Sequence, residues 1–462
     1  MPVYEPYPQP YPYPYNHLVK TILLLGGRSR RFWPLREKYL FPLLGKTVLE
    51  HQINHLREEG CDDLLLVVGP HNRKEIKKIF PKISVVEQKD LHAGMQGALL
   101  DALPRCKKEP VLIVGSDLLE TDVFRTMIAR FKNTKADGLI LARTVKRYFP
   151  GGYLTLKGKR ITGIVEKPGE GKEPSKLMNI VVHAHRDASG LLAALKKTSA
   201  KNDDGYERAL AGLFKDHVYE AVRYENAWFP VKYPWHLLEL LPFLLNRITK
   251  QSVHRTAKIH PSAVIEGSVV IEEGVRVLPH ATIVGPCYIG KNTIIGNNAL
   301  VRQASIGDHC VVGYNTEVKG SALSHHVWTH STYIGDSIIG ENVSFGAGSV
   351  TGNLRLDEEE ILTRSGDLHI LSGLTKFGTV IGENCRVGIH TSINPGVKIG
   401  SGSFISSASL VSEDVPDESF VKMSGGEMQV RKNKTRAPHP DARKEFRKKL
   451  WRRRILRLTG SY

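Results

Sequence analysis

Short apolar runs alternate with helical spacings through the first half of the chain. The runs that predict buried strands cover residues 21–25, 64–68, 83–86 and 111–114. Between the first two runs, Leu49, Ile53 and Leu56 recur at a helical interval, and a second helix is predicted after Gly94. Strands that alternate with helices favour an α/β domain whose parallel sheet is covered on both faces. A helical stretch over residues 234–245 ends this region.

Beyond residue 252 the hydrophobic period changes to six. One register of aliphatic residues comprises Ile265, Ile271, Val277, Ile283, Ile289, Ile295 and Val301. A second comprises Ile381, Val387, Ile393, Ile399, Ile405 and Val411. Helices repeat at about 3.6 residues and strands at about 2, whereas a β-helix repeats at six, one hexad for each side of a triangular coil. A β-sandwich with coincidental spacing is the alternative. Residues 354–376 break the period and predict a loop that projects from the coils.

Composition adds limits on the class of protein. The five cysteines are odd in number and scattered, which argues against a disulfide framework or a zinc knuckle. No apolar run reaches the length that a bilayer requires, and residues 1–15 do not resemble a secretion signal, so we expect a cytoplasmic protein. Of the net charge of +18, the larger part lies in residues 431–457, where thirteen basic residues accompany two acidic ones. The basic character therefore belongs to an appendage.

Four regions are predicted along the 462 residues. They are a proline- and tyrosine-rich arm at 1–17, an α/β domain at 18–250, a β-helix at 251–425 and a basic tail at 426–462. The arm is expected to be extended and mobile. In the tail, a near-helical spacing of apolar side chains predicts a basic amphipathic helix at residues 443–458. Such a helix can bind an anionic membrane surface, nucleic acid or an acidic partner, or it can cover the last coil of its own protein; the pattern leaves these alternatives open.

A glycine-rich turn, Gly26-Gly27, follows the first predicted strand, where open α/β sheets bind their ligands. Such a turn lets backbone N–H groups approach phosphates. The stretch reads Leu23-Leu24-Leu25-Gly26-Gly27-Arg28-Ser29-Arg30-Arg31-Phe32-Trp33-Pro34-Leu35, then Glu37-Lys38-Tyr39-Leu40-Phe41-Pro42-Leu43-Leu44-Gly45-Lys46-Thr47. It resembles the opening signature of the sugar-1-phosphate nucleotidylyltransferases, a Rossmann-like fold. The resemblance implies that Arg31 and Lys38 are catalytic and handle the triphosphate and the sugar phosphate.

Later segments resemble the same family, in order along the chain. They are Glu87-Gln88, Gly94-Met95-Gln96-Gly97-Ala98, Gly115-Ser116-Asp117, Glu166-Lys167-Pro168, Asn179 and Trp228-Phe229-Pro230-Val231-Lys232-Tyr233-Pro234-Trp235. The resemblance implies that nucleoside triphosphate and sugar-1-phosphate are bound by Gly26, Gly27, Gln88, Gly94, Glu166, Lys167 and Asn179. It also implies that Asp117 is a ligand of Mg²⁺.

Three residues depart from the family pattern. Ser29 and Arg30 replace Gly-Thr of the signature, and side chains there limit how closely the backbone approaches phosphates. Pro230 stands where the family has its second metal-binding aspartate. Asp117 would then be the sole carboxylate for magnesium, which usually needs one or two carboxylates plus substrate phosphates. These departures indicate a site that is slow, altered in substrate or inactive.

The second half resembles the acetyltransferase domain of archaeal-type bifunctional glucosamine-1-phosphate acetyltransferases, which form a left-handed β-helix. The matching segments are Glu317-Val318-Lys319-Gly320-Ser321, Thr329-His330-Ser331-Thr332-Tyr333-Ile334-Gly335-Asp336, Gly346-Ala347-Gly348 and Gly352-Asn353-Leu354. Acetyl transfer from acetyl-CoA to an amine needs a base near neutral pKa, which a histidine supplies. The resemblance implies that His330 is this base, that Arg302 and Lys319 bind the sugar phosphate, and that Tyr333 and Asn353 bind the sugar. It also implies a homotrimer; Ser344 replaces an asparagine that is usual in the family.

Three functional hypotheses follow. The first is a bifunctional enzyme that acetylates glucosamine-1-phosphate and then transfers a nucleotide from UTP to give UDP-N-acetylglucosamine. The second is a single-activity nucleotidylyltransferase, using UTP, dTTP or GTP, whose β-helix is structural. The third is a non-catalytic regulatory or scaffolding relative.

Overall fold

The computed structural model describes residues 19–119, 122–199, 203–444 and 446. These residues form two compact units. The first contains residues 19–29 and 48–231, and the second contains residues 30–47 and all described residues from 232 onwards. Segments 30–47 and 232–250, which the sequence assigns to the α/β domain, thus belong to the same unit as the β-helix. The arm at 1–17 lies outside the described residues.

The first unit contains a nine-stranded sheet with the strand order β3-β2-β1-β4-β8-β5-β9-β7-β6. Its strands are β1 (Lys20–Leu25), β2 (Leu64–Val68), β3 (Ser84–Glu87), β4 (Val111–Val114), β5 (Gly138–Thr144), β6 (Gly152–Lys157), β7 (Arg160–Glu166), β8 (Leu177–His185) and β9 (Tyr219–Arg223). The helices of this unit are α1 (Val48–Glu58), α2 (Arg73–Ile79), α3 (Gly94–Ala102), α4 (Val123–Asn133), α5 (Ala188–Lys197) and α6 (Gly205–Asp216).

The four predicted strands and the two predicted helices are confirmed, with strand ends that differ by at most one residue. Strands β1 to β4 pair in parallel, and their apolar side chains are buried because helices cover the sheet. The predicted parallel pairing is confirmed for these four strands, but the rest of the sheet contains antiparallel pairs. Strand β8 runs antiparallel to β4 and β5, and β6 and β7 form an antiparallel pair. A single apolar run does not encode the direction of its neighbour.

The second unit is a parallel β-helix with three faces. Face A contains Ser252–Val253, Val269–Ile271, Cys287–Ile289, Ser305–Ile306, Ala322–Leu323, Ile338–Ile339, Thr379–Ile381 and Val397–Ile399. Face B contains Lys258–Ile259, Arg276–Val277, Ile294–Ile295, Val311–Val312, Ser344–Phe345, Arg386–Val387 and Phe404–Ile405. Face C contains Val264–Glu266, Thr282–Val284, Leu300–Arg302, Glu317–Lys319, Tyr333–Gly335, Val350–Thr351, Ser392–Ile393 and Leu410–Val411.

Parallel ladders connect each coil to the next, so that residues one coil apart are partners. Ile265 pairs with Ile283, and Ile283 pairs with Val301. Both predicted registers of aliphatic residues point into the axis and form its core. The predicted excursion at 354–376 is confirmed, since it contains an antiparallel hairpin of Leu362–Ser365 and Leu368–Leu371.

The end of the β-helix differs from the prediction. Glu427–Lys432, which the sequence places in a helical tail, is a strand that pairs with Ser419–Ser424. Apolar Met428 and Val430 alternate with polar neighbours, a pattern that is typical of a strand rather than a helix. Most of the amphipathic stretch at 443–458 lies outside the described residues. In this unit α7 (His236–Leu245) precedes the coils, and in the described part of the chain no helix is long and apolar enough to cross a membrane.

Candidate functional sites

The glycine turn after β1 lies against Gln88, as the resemblance implies. A Cβ atom on Gly26 would lie 2.1 Å from Oε1 of Gln88, so only glycine fits beneath this side chain. Gln88 is 3% exposed, and its Nε2 donates to the carbonyl oxygens of Asp90 and Gly94, each at 2.7 Å. Three of the predicted nucleotide-binding residues, Gly26, Gln88 and Gly94, are therefore brought together.

The loop after β2 supports the same turn. Asn72 donates from Nδ2 to the carbonyl oxygen of Leu25 at 2.9 Å, and His71 Nε2 lies 3.2 Å from the carbonyl oxygen of Gly27. Ser29 has φ +48°, a left-handed conformation that costs a side-chain-bearing residue energy and that glycine adopts freely. The left-handed backbone explains why the family has glycine at this position. Ser29 adopts the same conformation, which lowers the stability of the folded turn.

Asp117 follows β4, but its carboxylate is engaged by a neighbour. Trp228 donates from Nε1 to Oδ2 of Asp117 at 3.0 Å. A short ladder pairs Trp228 with Leu119 and Phe229 with Leu118, and Pro230 and Asp117 are the residues next to its end along the two segments. Across the described parts of the chain, no group of three or more His, Cys, Asp or Glu side chains is arranged to hold a metal ion. Of the two family positions for metal-binding aspartates, this chain therefore has a carboxylate only at Asp117.

The predicted sugar-binding residues form a second cluster in this unit. Lys167 Nζ lies 3.0 Å from Oε1 of Glu166 and 3.7 Å from Oδ2 of Asp203. A Cβ atom on Gly152 would lie 2.9 Å from Oδ1 of Asn179 and 3.2 Å from Oε2 of Glu166. Glu166, Lys167 and Asn179 are thus neighbours, and Asp203 is one that the sequence motifs do not single out.

Asp203 also connects this cluster to the glycine turn. Its Oδ1 occupies the space that a Cβ atom on Gly94 would need, at 1.6 Å. A buried acid nearby, Glu207, completes the group. Burial, and then the charge of Glu166, raise the pKa of Glu207 to about 8. The sequence gives no signal for Glu207, because its burial depends on the packing of α6.

Arg31 and Lys38 belong to the second compact unit. The guanidinium of Arg31 lies 5.8 Å from the centroid of Tyr233, and Nζ of Lys38 lies 4.9 Å from the centroid of Tyr39. Both cations therefore lie on aromatic faces, an attractive arrangement.

The acceptor residues predicted for the β-helix come together on face C. Arg302 donates to Oε1 of Glu317 from both Nε and Nη2, at 3.1 and 2.6 Å. Lys319 Nζ lies 3.4 Å from Oδ2 of Asp336, and the same oxygen accepts a hydrogen bond from Asn353. These side chains come from successive coils, since Arg302 pairs with Lys319 and Lys319 with Gly335 in the ladder.

Tyr333 joins this polar cluster through its hydroxyl group. Burial raises the pKa of Tyr333, and the charges of Asp336 and Glu317 add to the effect, while a hydrogen bond from Asn353 opposes it. Glu317 and Asp336 are in the matched segments, but the sequence assigned them no role. They neutralise the two cations and fix their direction.

His330 lies at the corner between face B and face C. It precedes strand Tyr333–Gly335 and follows Trp328, which bridges two strands of face B. His330 is exposed and lines a cavity of about 320 Å³ on the face B side. The predicted base thus stands between this cavity and the polar cluster on face C.

Two arginines that the sequence did not single out line the same cavity. Arg443 reaches it from the chain beyond the β-helix: its guanidinium lies 5.0 Å from the centroid of Trp328 and donates to Oγ of Ser344 at 3.2 Å. Arg386 lies on the strand that pairs with Ser344. Burial, and then the charge of Arg443, lower the pKa of Arg386 to about 10. Two guanidinium groups that repel each other favour an anion between them.

Comparison with known proteins bears on both sites. Residues 21–255 match the MobA-like NTP transferase domain, residues 247–356 the GMPPB C-terminal domain and residues 378–412 six bacterial transferase hexapeptide repeats. The chain is 31% identical over 416 residues to the bifunctional sugar-1-phosphate nucleotidylyltransferase/acetyltransferase of Sulfurisphaera tokodaii. The aligned region covers 88% of this chain and 100% of the relative. The chain belongs to this bifunctional transferase family.

Other relatives of this family extend the match. The bifunctional protein GlmU of Methanocaldococcus jannaschii is 30% identical over 409 residues, covering 87% of this chain and 97% of its own. A UTP-bound UGPase from Acinetobacter baumannii matches 48% of this chain and 92% of its own with a TM-score of 0.41 and 19% identity, too distant to bear on function. The sequence resemblance and the fold class are confirmed, and the chain is an enzyme with a nucleotidyltransferase part and a hexapeptide acyltransferase part.

Proposed function

We propose that the enzyme acetylates glucosamine-1-phosphate with acetyl-CoA and then transfers a uridylyl group from UTP, giving UDP-N-acetylglucosamine and pyrophosphate. The observation that carries this proposal is the position of His330 between a polar cluster and a cavity with two arginines. Acetyl transfer requires that a sugar phosphate and an acyl thioester bind next to the same base. The polar cluster is a surface for the sugar phosphate, and the cavity is a surface for the thioester.

The acceptor surface is the polar cluster on face C. Arg302 and Lys319 bind the phosphate of glucosamine-1-phosphate, exchanging part of their pairing with Glu317 and Asp336 for the new charge. Tyr333 and Asn353 hold the sugar hydroxyl groups. His330 accepts the proton that the amine loses as its nitrogen attacks the thioester carbonyl. The C–S bond breaks, and the departing thiolate takes the proton.

The donor surface is the cavity on face B. The phosphate groups of acetyl-CoA bind between Arg386 and Arg443, and the rest of the donor lies along the apolar wall that contains Trp328 and Phe404. Backbone N–H groups at the coil corner stabilise the oxyanion that forms at the carbonyl carbon. This assignment gives Arg443 a role within the enzyme rather than at a membrane surface.

The nucleotidyl reaction uses the turn after β1. An oxygen of the sugar phosphate attacks the α-phosphorus of UTP, and the bond to pyrophosphate breaks. Backbone N–H groups near Gly26 and Gly27 approach the phosphates, while Gln88 contacts the base and Glu166 and Asn179 hold the sugar. Mg²⁺, when bound, neutralises charge on the triphosphate. Asp117 would be its carboxylate ligand from the protein, and the substrate phosphates would supply the other ligands.

Thiol release from acetyl-CoA in the presence of glucosamine-1-phosphate tests the acetylation. Wild type is expected to release thiol, and His330→Ala is expected to lose about 10²–10⁴-fold in rate, the usual contribution of a general base. Pyrophosphate release from UTP with N-acetylglucosamine-1-phosphate should continue in the same variant. Wild type that releases pyrophosphate but no thiol would favour the single-activity alternative, for which the β-helix is structural. Failure of both reactions would leave the non-catalytic alternative.

We further propose that the enzyme is a cytoplasmic homotrimer. Leucines on the excursion from the β-helix, Leu356, Leu362, Leu368 and Leu371, are exposed in the single chain. A second copy of the chain that covers them would bury apolar surface close to the coil that carries Asn353. Light scattering on the purified chain should give the mass of three subunits, and a monomer mass would contradict the proposal.

A further inference from the structure

The signature segment, residues 30–47, lies along the β-helix. At its start, Trp33 donates from Nε1 to Oδ1 of Asp417 at 3.1 Å, and Ser401 donates from Oγ to the carbonyl oxygen of Pro34 at 3.3 Å. The same Oδ1 of Asp417 accepts the backbone N–H of Ser401 at 2.7 Å. One coil corner therefore fixes both the tryptophan and the proline of the signature.

The other end of the segment contacts earlier coils. The backbone N–H of Leu44 donates to Oγ of Ser305 at 2.9 Å. A Cβ atom on Gly45 would lie 2.1 Å from the hydroxyl oxygen of Tyr288, so the backbone here packs directly against a side chain of face A. Both ends of the segment are thus held by the β-helix.

A buried lysine lies at the centre of these contacts. The side chain of Lys398 is 2% exposed; its Nζ lies 2.6 Å from Oδ2 of Asp414 and 3.0 Å from Oγ1 of Thr363. The same ammonium group lies 5.8 Å from the centroid of Trp33 and 6.0 Å from that of Trp235. A desolvated ammonium within about 6 Å of two indole rings attracts both, since cation–π attraction is strongest over tryptophan and grows on burial.

Aromatic contacts continue from this lysine to Arg31. Trp235 stacks on Tyr233 with centroids 4.5 Å apart and planes 3° from parallel. The guanidinium of Arg31 lies 5.8 Å from the centroid of that tyrosine. A continuous series of ring contacts thus connects a buried charge in the β-helix to the arginine that the family signature assigns to the triphosphate.

We propose that Lys398 is a positioning residue for nucleotidyl transfer, which fixes Trp33, Trp235 and, through Tyr233, the direction of Arg31. The inference rests on the proposed function in that Arg31 is taken to handle the triphosphate. A buried ion pair costs desolvation free energy and is a poor source of stability, so a role in setting geometry explains why one is retained here. The β-helix then serves both reactions, one with His330 and the other with Lys398.

Three full-length variants test this role. Lys398→Met keeps the length of the side chain and removes its charge, and Asp417→Ala removes the partner of Trp33 without touching Lys398. Asp308→Ala is the matched control, because Asp308 accepts the backbone N–H of Lys291 at another coil corner just as Asp417 accepts that of Ser401. Pyrophosphate release, thiol release and hydrogen exchange of residues 30–47 are measured for each.

We expect the first two variants to raise KM for UTP about 10-fold, within the range for a catalytic group displaced by a fraction of an ångström. Thiol release should stay at the wild-type rate, and residues 30–47 should exchange faster. The control should match wild type in all three measurements. An unchanged KM with faster exchange, or an equal fall in both activities, would overturn the positioning role.

Failure of the proposed function gives a different result. If wild type releases no pyrophosphate, the readout becomes the slowing of exchange in residues 30–47 by added UTP. If UTP slows this exchange in wild type and in Asp308→Ala, but not in Lys398→Met or Asp417→Ala, the positioning role is supported even though no pyrophosphate is released. No slowing in wild type would overturn it.

Discussion

The corner at His330 and the turn after β1 carry the two proposed reactions, and their structural constraints differ. Around His330 each side chain is placed by a ladder, so that Arg302, Lys319 and Gly335 follow one another at equivalent positions of successive coils. Ser344, which replaces an asparagine that is usual in the family, keeps its place in the ladder opposite Arg386. Around the turn, by contrast, no repeat enforces the geometry.

At the turn, each residue carries a separate backbone requirement. Ser29 has φ +48°, Gly26 lies under Gln88, and Pro230 stands where the family has a carboxylate. A single replacement there alters both backbone and ligand chemistry. The comparison teaches that a repeated scaffold tolerates divergence at a site better than a single loop does. Three engineered variants, described next, test that difference.

Of these three substitutions, the largest effect is expected in the donor cavity of the β-helix. Arg386→Ala removes a guanidinium next to the proposed phosphate position, and a lost charge-assisted hydrogen bond costs about 2 kcal/mol, or about 30-fold in KM for acetyl-CoA. Steady-state thiol release at varied acetyl-CoA measures the change. Arg276→Ala is the matched control, because Arg276 occupies the same column of face B several coils earlier. An equal rise in KM for acetyl-CoA in the two variants would show that the effect comes from losing any arginine of this column, and not from losing one that lines the cavity.

A smaller effect is expected at the turn, where Pro230→Asp restores a second carboxylate. The ladder pairs Phe229 with Leu118, so residue 230 and Asp117 adjoin its end, and a register continued by one residue would bring them opposite each other. The added charge should raise the apparent affinity for Mg²⁺ about 10-fold, as in other changes to the surroundings of a metal site. Pyrophosphate release titrated with MgCl₂ gives the half-saturating concentration. Pro230→Asn, which adds an uncharged oxygen, is the control, and an equal response to both would argue against a metal ligand at this position.

Much of the fold was predictable from the sequence because it follows local periodicity. The hexads fix the β-helix core, and the apolar runs fix β1 to β4. The members of the acceptor cluster came from the family resemblance, and the ladders show why they meet, since Arg302 and Lys319 share one column and Glu317 and Tyr333 the other. Contacts between distant parts of the chain were not predictable: Trp33 and Asp417 are 384 positions apart, and Arg443 reaches its cavity by a fold-back of the chain. No spacing encodes such pairs, because tertiary packing decides them.

The smallest expected effect is a pH dependence at the sugar cluster, where Glu207 is buried next to Glu166. The pKa of Glu207 is raised to about 8 from a normal 4.5, so the folded state holds a proton that the unfolded chain has released. The stability that the neutral carboxyl group contributes is fully present below about pH 4.5 and is lost as pH rises through 8. Glu207→Gln keeps the neutral shape, so its free energy of unfolding should fall less than that of wild type between pH 5 and 8. Urea unfolding at each pH measures this difference. Glu220→Gln controls for loss of a partly buried carboxylate that is paired with Arg130. Parallel pH profiles for wild type and Glu207→Gln would mean that Glu207 is ionised in the folded enzyme.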